Sequence, residues 1–348
     1  MSSAAGPARP GLVKRLEYLA KIGFAVVMSV LLWRPGRKGR ALPAGPRRVL
    51  LVRVDNRVGE ALLTTPLIDA LAAAGHEVHV LAHPKMRRVL DRHPRLSGLH
   101  DYAPRWAVLS ALRALRFDAV VNCGNWDLES VTSAVVARLV GPAAVVYGPA
   151  NFPSGWLMDV PIVALASTRS EAVQRRHLGS ALVSVDGPAR LSFRETPAFQ
   201  VVEGRSAVVN PGGRLDWRRV PVERFVDACR ALLEAKVTPV VTWGPGEEAL
   251  ADEVVRGAPG AVKAPATSID QLAALMRGAV VTVCNNTGPM HLAVAVGCPT
   301  LALFLHMEVE RWGHAFEPHV MLDLTSEAAP GERVARAVRE LVALPARA

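Results

Sequence analysis

The apolar run Ala279-Val280-Val281-Thr282-Val283-Cys284 leads into Asn286-Thr287-Gly288-Pro289-Met290-His291, and this pairing constrains the fold more than any other stretch. A run that is apolar on both faces reads as a buried parallel strand. Gly288-Pro289 then begins a helix, with Asn286 or Thr287 as its cap and Pro289 in its first turn, and Gly297 and Pro299 end it. A parallel strand that turns directly into a helix belongs to an α/β sheet. The free N–H groups and the positive dipole end of the helix make an anion site above the strand.

The same grammar recurs twice. Val208-Val209-Asn210-Pro211-Gly212-Gly213 passes from a strand into a loop carrying Arg214, Arg218 and Arg219, then into a helix from Pro221 to Glu234. Glycine lets backbone approach a ligand closely, and the guanidinium fork matches phosphate oxygens. Val49-Leu50-Leu51-Val52-Arg53-Val54 is followed by Asp55-Asn56-Arg57-Val58-Gly59-Glu60 and a helix from Ala61 to Ala74. Glu60 therefore sits at the mouth of a first strand, where open α/β sheets place chemistry.

Between these points strands and helices alternate. Strands are expected at 49–54, 77–82, 119–122 and 144–147, with helices at 61–74, 85–92, 106–115 and 128–139 and a further helix at 169–185. A second set of strands follows at 207–210, 237–242, 261–263, 279–284 and 300–304, with a closing helix at 331–344. The pattern predicts two Rossmann-like, doubly wound α/β domains facing a cleft. The first covers residues 48–185 and the second, with the closing helix, covers 205–348; residues 186–204, with Pro188 and Pro197, connect them. Neither a G-x-G-x-x-G nor a P-loop lysine signature occurs, which leaves dinucleotide and ATPase readings without their fingerprints.

A net charge of +10 and a pI near 10.1 point to an acidic partner. Nucleic acid is excluded as the favoured one, because aromatics make up only 5% and do not interleave with the arginines. The cysteines Cys123, Cys229, Cys284 and Cys298 show no paired spacing, which argues for free buried thiols in a reducing compartment, the cytoplasm.

Residues 1–47 follow a different rule. Ile22 to Trp33 is uninterrupted by charge and flanked by Lys14, Arg15, Lys21, Arg34, Arg37, Lys38 and Arg40. A bilayer core needs ~20 apolar residues, so this run predicts an interfacial helix on the anionic inner leaflet rather than a span. The competing expectation is a helix packed on the protein's own surface.

The order of Arg53-Val54-Asp55-Asn56-Arg57-Val58-Gly59-Glu60 with Thr64-Thr65-Pro66, Asn210-Pro211-Gly212-Gly213 with Arg218-Arg219-Val220-Pro221, Trp243-Gly244-Pro245-Gly246-Glu247, Thr287-Gly288-Pro289-Met290-His291-Leu292-Ala293 and Glu310-Arg311-Trp312-Gly313 resembles glycosyltransferase family 9. That family contains the lipopolysaccharide heptosyltransferases. The resemblance runs from about Arg48 to His319 and implies the two-domain GT-B arrangement, an ADP-sugar donor, a lipid-linked anionic glycan acceptor and inversion at the anomeric carbon.

It also implies roles. Glu60 is the base for the acceptor hydroxyl, standing where the family usually has aspartate after glycine, with Asp55 as the alternative base and Arg57 on the acceptor side. Donor contacts are expected from Asn210, Gly212, Gly213, Arg218, Arg219, Trp243, Gly244, Glu247, Asn286, Thr287, Gly288, Pro289, Met290 and His291. Within that set, Arg218 meets phosphate, Thr287, Gly288 and His291 meet the diphosphate, and Glu247, or Glu248 beside it, accepts the ribose hydroxyls. Asn286 replaces an aspartate or serine and keeps hydrogen-bonding capacity without charge. No D-x-D pair or His/carboxylate cluster marks a metal, and no cofactor is expected. Two further functions stay open: a catalytically silent nucleotide-sugar-binding protein, and a nucleotide-sugar epimerase or hydrolase on the same fold.

Overall fold

The computed structural model describes residues 12–345 except 35, 41, 104, 127–130 and 315, with side chains from residue 19 onward. After helix α1 (Leu12–Leu31), the first half comprises β1 (Arg48–Arg53), α2 (Val58–Leu62), α3 (Thr65–Ala73), β2 (Glu77–Ala82), α4 (Arg87–Leu90), β3 (Gly98–Asp101), α5 (Trp106–Ala114), β4 (Ala119–Asn122), α6 (Val131–Val140), β5 (Val145–Pro149), β6 (Val160–Ile162) and α7 (Glu171–His177). The second comprises β7 (Ser206–Asn210), α8 (Val222–Glu234), β8 (Thr238–Val241), α9 (Glu248–Gly257), β9 (Val262–Lys263), α10 (Ile269–Gly278), β10 (Thr282–Asn285), α11 (Gly288–Ala295), β11 (Thr300–Phe304), α12 (Val309–Trp312), β12 (His319–Asp323) and α13 (Pro330–Val342).

Each half forms one parallel sheet, ordered β3-β2-β1-β4-β5-β6 and β12-β11-β10-β7-β8-β9. Counted from its own first strand, the second sheet has the same winding as the first. The order reverses between β1 and β4 in one half and between β7 and β10 in the other, and ligands of such sheets bind outside the carboxyl ends of those strands. Val49 pairs with Val78 on one side and Ala119 on the other, and Thr282 pairs with Val208 and Thr300, so the central strands are covered on both faces and fully buried.

The halves are not independent lobes. One apolar cluster runs from Leu62, Leu67 and Ile68 across to Met276, Leu292 and Ala293. The expected connection, 186–204, is stitched to both sides: Ser192 Oγ donates to Asp69 Oδ2 at 2.6 Å, while Arg194 Nη1 donates to Val89 O at 2.9 Å and its Nη2 pairs with Asp270 on α10.

Several expectations are corrected. The single helix from 61 to 74 is two helices, because Pro66 has no N–H to give Leu62 O, which Thr65 Oγ1 takes instead at 2.8 Å. The helix expected at 169–185 is only α7, ending before Gly179, where a side chain would collide with Leu67. The helix expected at 128–139 begins at Val131 among the described residues. Strands β3, β6 and β12 were not expected; all three are short and lie at sheet edges, where only partial burial is needed.

The N-terminal segment packs on the protein's own surface, the competing expectation, and leaves an apolar face exposed. Helix α1 starts ten residues before Ile22 and is seated through Ala25, Met28 and Leu32 against the cluster containing Val131, Val135 and Leu157, while Phe24, Val27, Val30, Leu31 and Trp33 remain exposed. Among the described residues no helix is long and apolar enough to cross a membrane. Three of the flanking cations are already engaged by the fold. Arg34 donates to the carbonyls of Arg138, Gly141 and Ala144 at 2.9–3.1 Å, Arg37 to Ala143 O at 2.7 Å, and Lys38 to Trp156 O and Met158 O at 2.7 and 2.6 Å. Desolvation, with Arg138 nearby, brings the Arg34 guanidinium down to about 10. The side chains of Lys14 and Arg15 lie outside the described residues.

Candidate active site

The two switch points open onto one cavity of about 530 Å³ between the halves. From the first half it is lined by Asn56, Arg57, Gly59, Glu60, Leu63 and Lys85; from the second by Asn210, Gly212, Gly213, Arg214, Arg218, Glu247, Asn285, Asn286, Thr287, Gly288, Pro289, His291, Met307 and Trp312. The walls meet where α2 packs on α11. A Cβ on Gly59 would stand 3.0 Å from His291 Cδ2, so glycine allows the approach.

Glu60 sits on α2 and is almost fully buried, yet it lines the cavity. Arg53 Nη2 lies 2.7 Å from Oε2, Arg175 Nη2 pairs with the same oxygen, and Arg57 Nη1 is 3.6 Å from Oε1. Burial alone would raise this carboxyl. The charges of Arg175 and Arg53 outweigh burial and hold it down at about 2, so the group is a carboxylate at neutral pH. The break before α3 contributes to its fixation: Thr64 N–H bonds to Ala61 O, which leaves Glu60 O to accept from Thr64 Oγ1 at 2.8 Å and Arg175 Nη1 at 3.1 Å.

Asp55 stands apart. Its carboxylate pairs with Arg53 Nε at 2.6 Å and accepts Arg57 N–H at 3.3 Å, closing the loop as a turn. It lines a smaller neighbouring cavity of about 230 Å³ with Arg57, Asn125 and Ser133 rather than the main one.

Across the cavity as a whole, cations outnumber carboxylates. Arg57, Lys85, Arg214 and Arg218 face Glu60 and Glu247, and both carboxylates are already satisfied. Glu247 Oε1 accepts Gly213 N–H at 2.8 Å and Oε2 accepts Gly244 N–H at 3.1 Å; a side chain on Gly212 would strike this carboxylate. Arg218 lies over the Trp217 ring at 4.4 Å, and its buried Nε has no hydrogen-bond partner among the described residues. Desolvation, then Arg214 and Arg57, lower its pKa, which marks a cation short of counter-charge.

Thr287 caps α11 in an extended conformation, its hydroxyl donating to Asn285 O at 3.3 Å. His291 Nδ1 is 2.8 Å from His314 Nε2, and burial lowers the His291 ring to about 4, leaving it neutral. A neutral ring can still offer one N–H, but not an imidazolium charge.

Four of the expected donor residues are placed off the cavity wall. Met290 packs into the cluster of Cys284, Ala302 and Phe304. Trp243 Nε1 donates to Ala264 O at 3.0 Å, and Gly244 serves through its N–H to Glu247. Arg219 is spent within its own loop, donating to Gly213 O at 2.7 Å and pairing with Asp216 at 2.8 Å.

Sequence reasoning missed four contributors. Asn285 holds the loops together, accepting Val220 N–H at 3.0 Å and donating to Pro211 O at 2.8 Å and Gly212 O at 3.1 Å. Its signal was the last position of β10, beside Asn286. Lys85 follows β2 just as Glu60 follows β1, and strand-end position could have identified it. Arg175 and Glu171 carry no local signal, since they reach the site from α7 across the fold.

Two doubly wound sheets with a cationic cleft at their facing switch points define a two-domain glycosyltransferase of the GT-B type. A sequence profile described as glycosyltransferase family 9 (heptosyltransferase) matches residues 105–335, and the chain belongs to that family. It is 24% identical over 278 residues to lipopolysaccharide heptosyltransferase 3 of Escherichia coli, covering 71% of this chain and 79% of that one. Among solved structures, the fold matches a family 9 glycosyl transferase from Veillonella parvula with a TM-score of 0.72 at 18% identity, over 87% of this chain and 99% of that chain. It also matches E. coli heptosyltransferase WaaC with ADP, with a TM-score of 0.70 at 19% identity, over 84% and 99%.

Proposed function

We propose that this glycosyltransferase moves a heptose from ADP-heptose to a lipopolysaccharide-core acceptor, with inversion and without a metal ion, at the inner face of the cytoplasmic membrane. The first half (48–185) takes the acceptor and the second (205–348) the donor. The observation that carries the reading is the surplus of cations in the cleft: Arg218 has a buried Nε with no hydrogen-bond partner among the described residues, and Arg214 and Arg57 are close enough to lower its pKa. A diphosphate is the counter-charge such a cluster lacks. The α11 N-terminus, through Thr287 and Gly288, adds a positive dipole end to the same wall.

Glu60 accepts the proton of the acceptor hydroxyl as that oxygen bonds to the anomeric carbon and the bond to the ADP oxygen breaks. ADP leaves with the electron pair, its charge met by Arg218 and Arg214. A carboxylate held at about 2 is a weak base toward a free alcohol. Toward an oxygen already bonded to the anomeric carbon it is sufficient, because that oxonium is strongly acidic. Asp55 points into the neighbouring cavity and serves instead to hold Arg53.

The tight neutralisation of Glu60 also favours one competing reading, a binding protein that holds the donor without turnover. Incubation with ADP-heptose and heptose-deficient lipopolysaccharide core, read by mass spectrometry, decides between them: a core heavier by one heptose together with free ADP supports transfer, and ADP binding without either product supports the silent protein. Free heptose without a heavier core would point to a hydrolase.

A further inference from the structure

The buried charges at Glu60 do not end at the site. Arg311 on α12 reaches across from the second half to Glu171 on α7, with Nε and Nη2 at 2.9 and 2.6 Å from Oε1. Glu171 Oε2 lies 3.4 Å from Arg175 Nη2, and Arg175 clasps the carboxylate and carbonyl of Glu60. Arg53 continues the chain from Glu60 to Asp55. Three guanidiniums and three carboxylates thus alternate from α12 to β1. Arg175 is 1% exposed, Glu60 5%, Glu171 7% and Arg311 18%, so screening by solvent is slight along most of the path. A second pair, Arg169 with Glu308 at 2.9 Å, clamps the same helices at the surface.

We propose that Arg311, Glu171 and Arg175 are positioning residues that aim the Glu60 carboxylate at the cleft only while α12 of the second half is docked on α7 of the first. The inference rests on Glu60 being the base. Glu171 is shared between two guanidiniums. Withdrawal of Arg311 leaves its full charge to Arg175, which then turns toward Glu171 and loosens its grip on Glu60. The other charged or titratable groups facing Glu60 are Arg53 on β1, Arg57 before α2 and His291 on α11, with Asp55 behind Arg53. None of these lies on α12 itself, and among the described residues the chain of ion pairs from that helix to Glu60 runs through α7. Assembly of the base is thereby tied to closure of the donor-binding half.

Amide hydrogen exchange and transfer kinetics on the full chain test this with Arg311→Gln, Glu171→Gln and Arg311→Lys, and with Arg169→Gln as the surface control. Both glutamine variants at the buried pair should raise exchange in α2 (Val58–Leu62) about tenfold, while Arg169→Gln should not. In ADP-heptose transfer they should lower kcat and leave ADP affinity unchanged, Arg311→Lys should recover part of the loss, and the double variant should be no worse than Glu171→Gln alone. Unchanged exchange in α2 with increased exchange at α12 would overturn the proposal. If instead Glu60→Gln itself turns over normally, the base assignment fails, whatever α2 does.

Discussion

Arg175 holds Glu60 at both ends, Nη1 donating to the backbone carbonyl at 3.1 Å while Nη2 pairs with the carboxylate. An acid gripped this way cannot swing away from the cleft, and it stays ionised although almost fully buried. Replacement by Glu60→Gln keeps the shape but removes the proton acceptor. Turnover should fall by about 10²–10⁴-fold while ADP still binds. Arg53 and Arg175 then lose the carboxylate they share and keep only Asp55 and Glu171, so melting should fall in the same variant. Retained turnover in Glu60→Gln, with loss in Asp55→Asn, would transfer the role to Asp55.

Arg218 and Arg219 stand side by side in sequence but differ in occupation. Arg219 is paired with Asp216 and Gly213 O, whereas Arg218 lines the cleft. Calorimetry with ADP should show Arg218→Ala losing about 1.5–3 kcal/mol of affinity. Arg219→Ala should act mainly through loop stability. Equal losses in both would contradict the distinction.

Acid should destabilise the fold in two steps with the same sign. His291 is held near 4, below its ordinary 6.5, so unfolding takes up a proton between those values and stability falls as pH drops through that window. Glu60, held at about 2 against an ordinary 4.5, contributes stability that is full above 4.5 and is lost as pH falls toward 2. Denaturant midpoints measured between pH 6.5 and 4 should decline less steeply in His291→Asn than in the parent chain. An unchanged slope would mean that this ring is not buried neutral. His314 is likewise lowered, by burial and then by His291 and His319, and adds to the same decline.

Much of this site could be read from the sequence, for a physical reason. Glu60, Gly212, Gly213, Thr287 and Gly288 owe their positions to strand ends and helix starts, which are local events. Arg175 acts on a residue 115 positions away, and only folding brings them together. Met290 and Trp243 belong to the right segments yet point away from the cleft; segment membership does not fix which way a side chain faces. Edge strands β3, β6 and β12 are only three to five residues long and partly buried, so their patterning is weaker than that of the central strands.

The exposed face of α1 offers a membrane-binding test that avoids deleting the segment. Arg34, Arg37 and Lys38 hold the first half together through carbonyl contacts, so truncation would disturb the fold as well as the face. Point changes at Val27, Leu31 and Trp33 leave those contacts intact. The triple substitution to Ser should abolish flotation with anionic phospholipid vesicles while the melting temperature holds. Failure of the unaltered chain to float at low salt would contradict the membrane role and assign the face to another partner.

Transfer itself is the most direct test. With ADP-heptose and heptose-deficient lipopolysaccharide core, in chelator-treated buffer, the account predicts a core bearing one added heptose, one ADP released per transfer, and an anomeric configuration by NMR opposite to the donor's. Retention of configuration, dependence on an added divalent cation, or ADP binding without a heavier core would each contradict it.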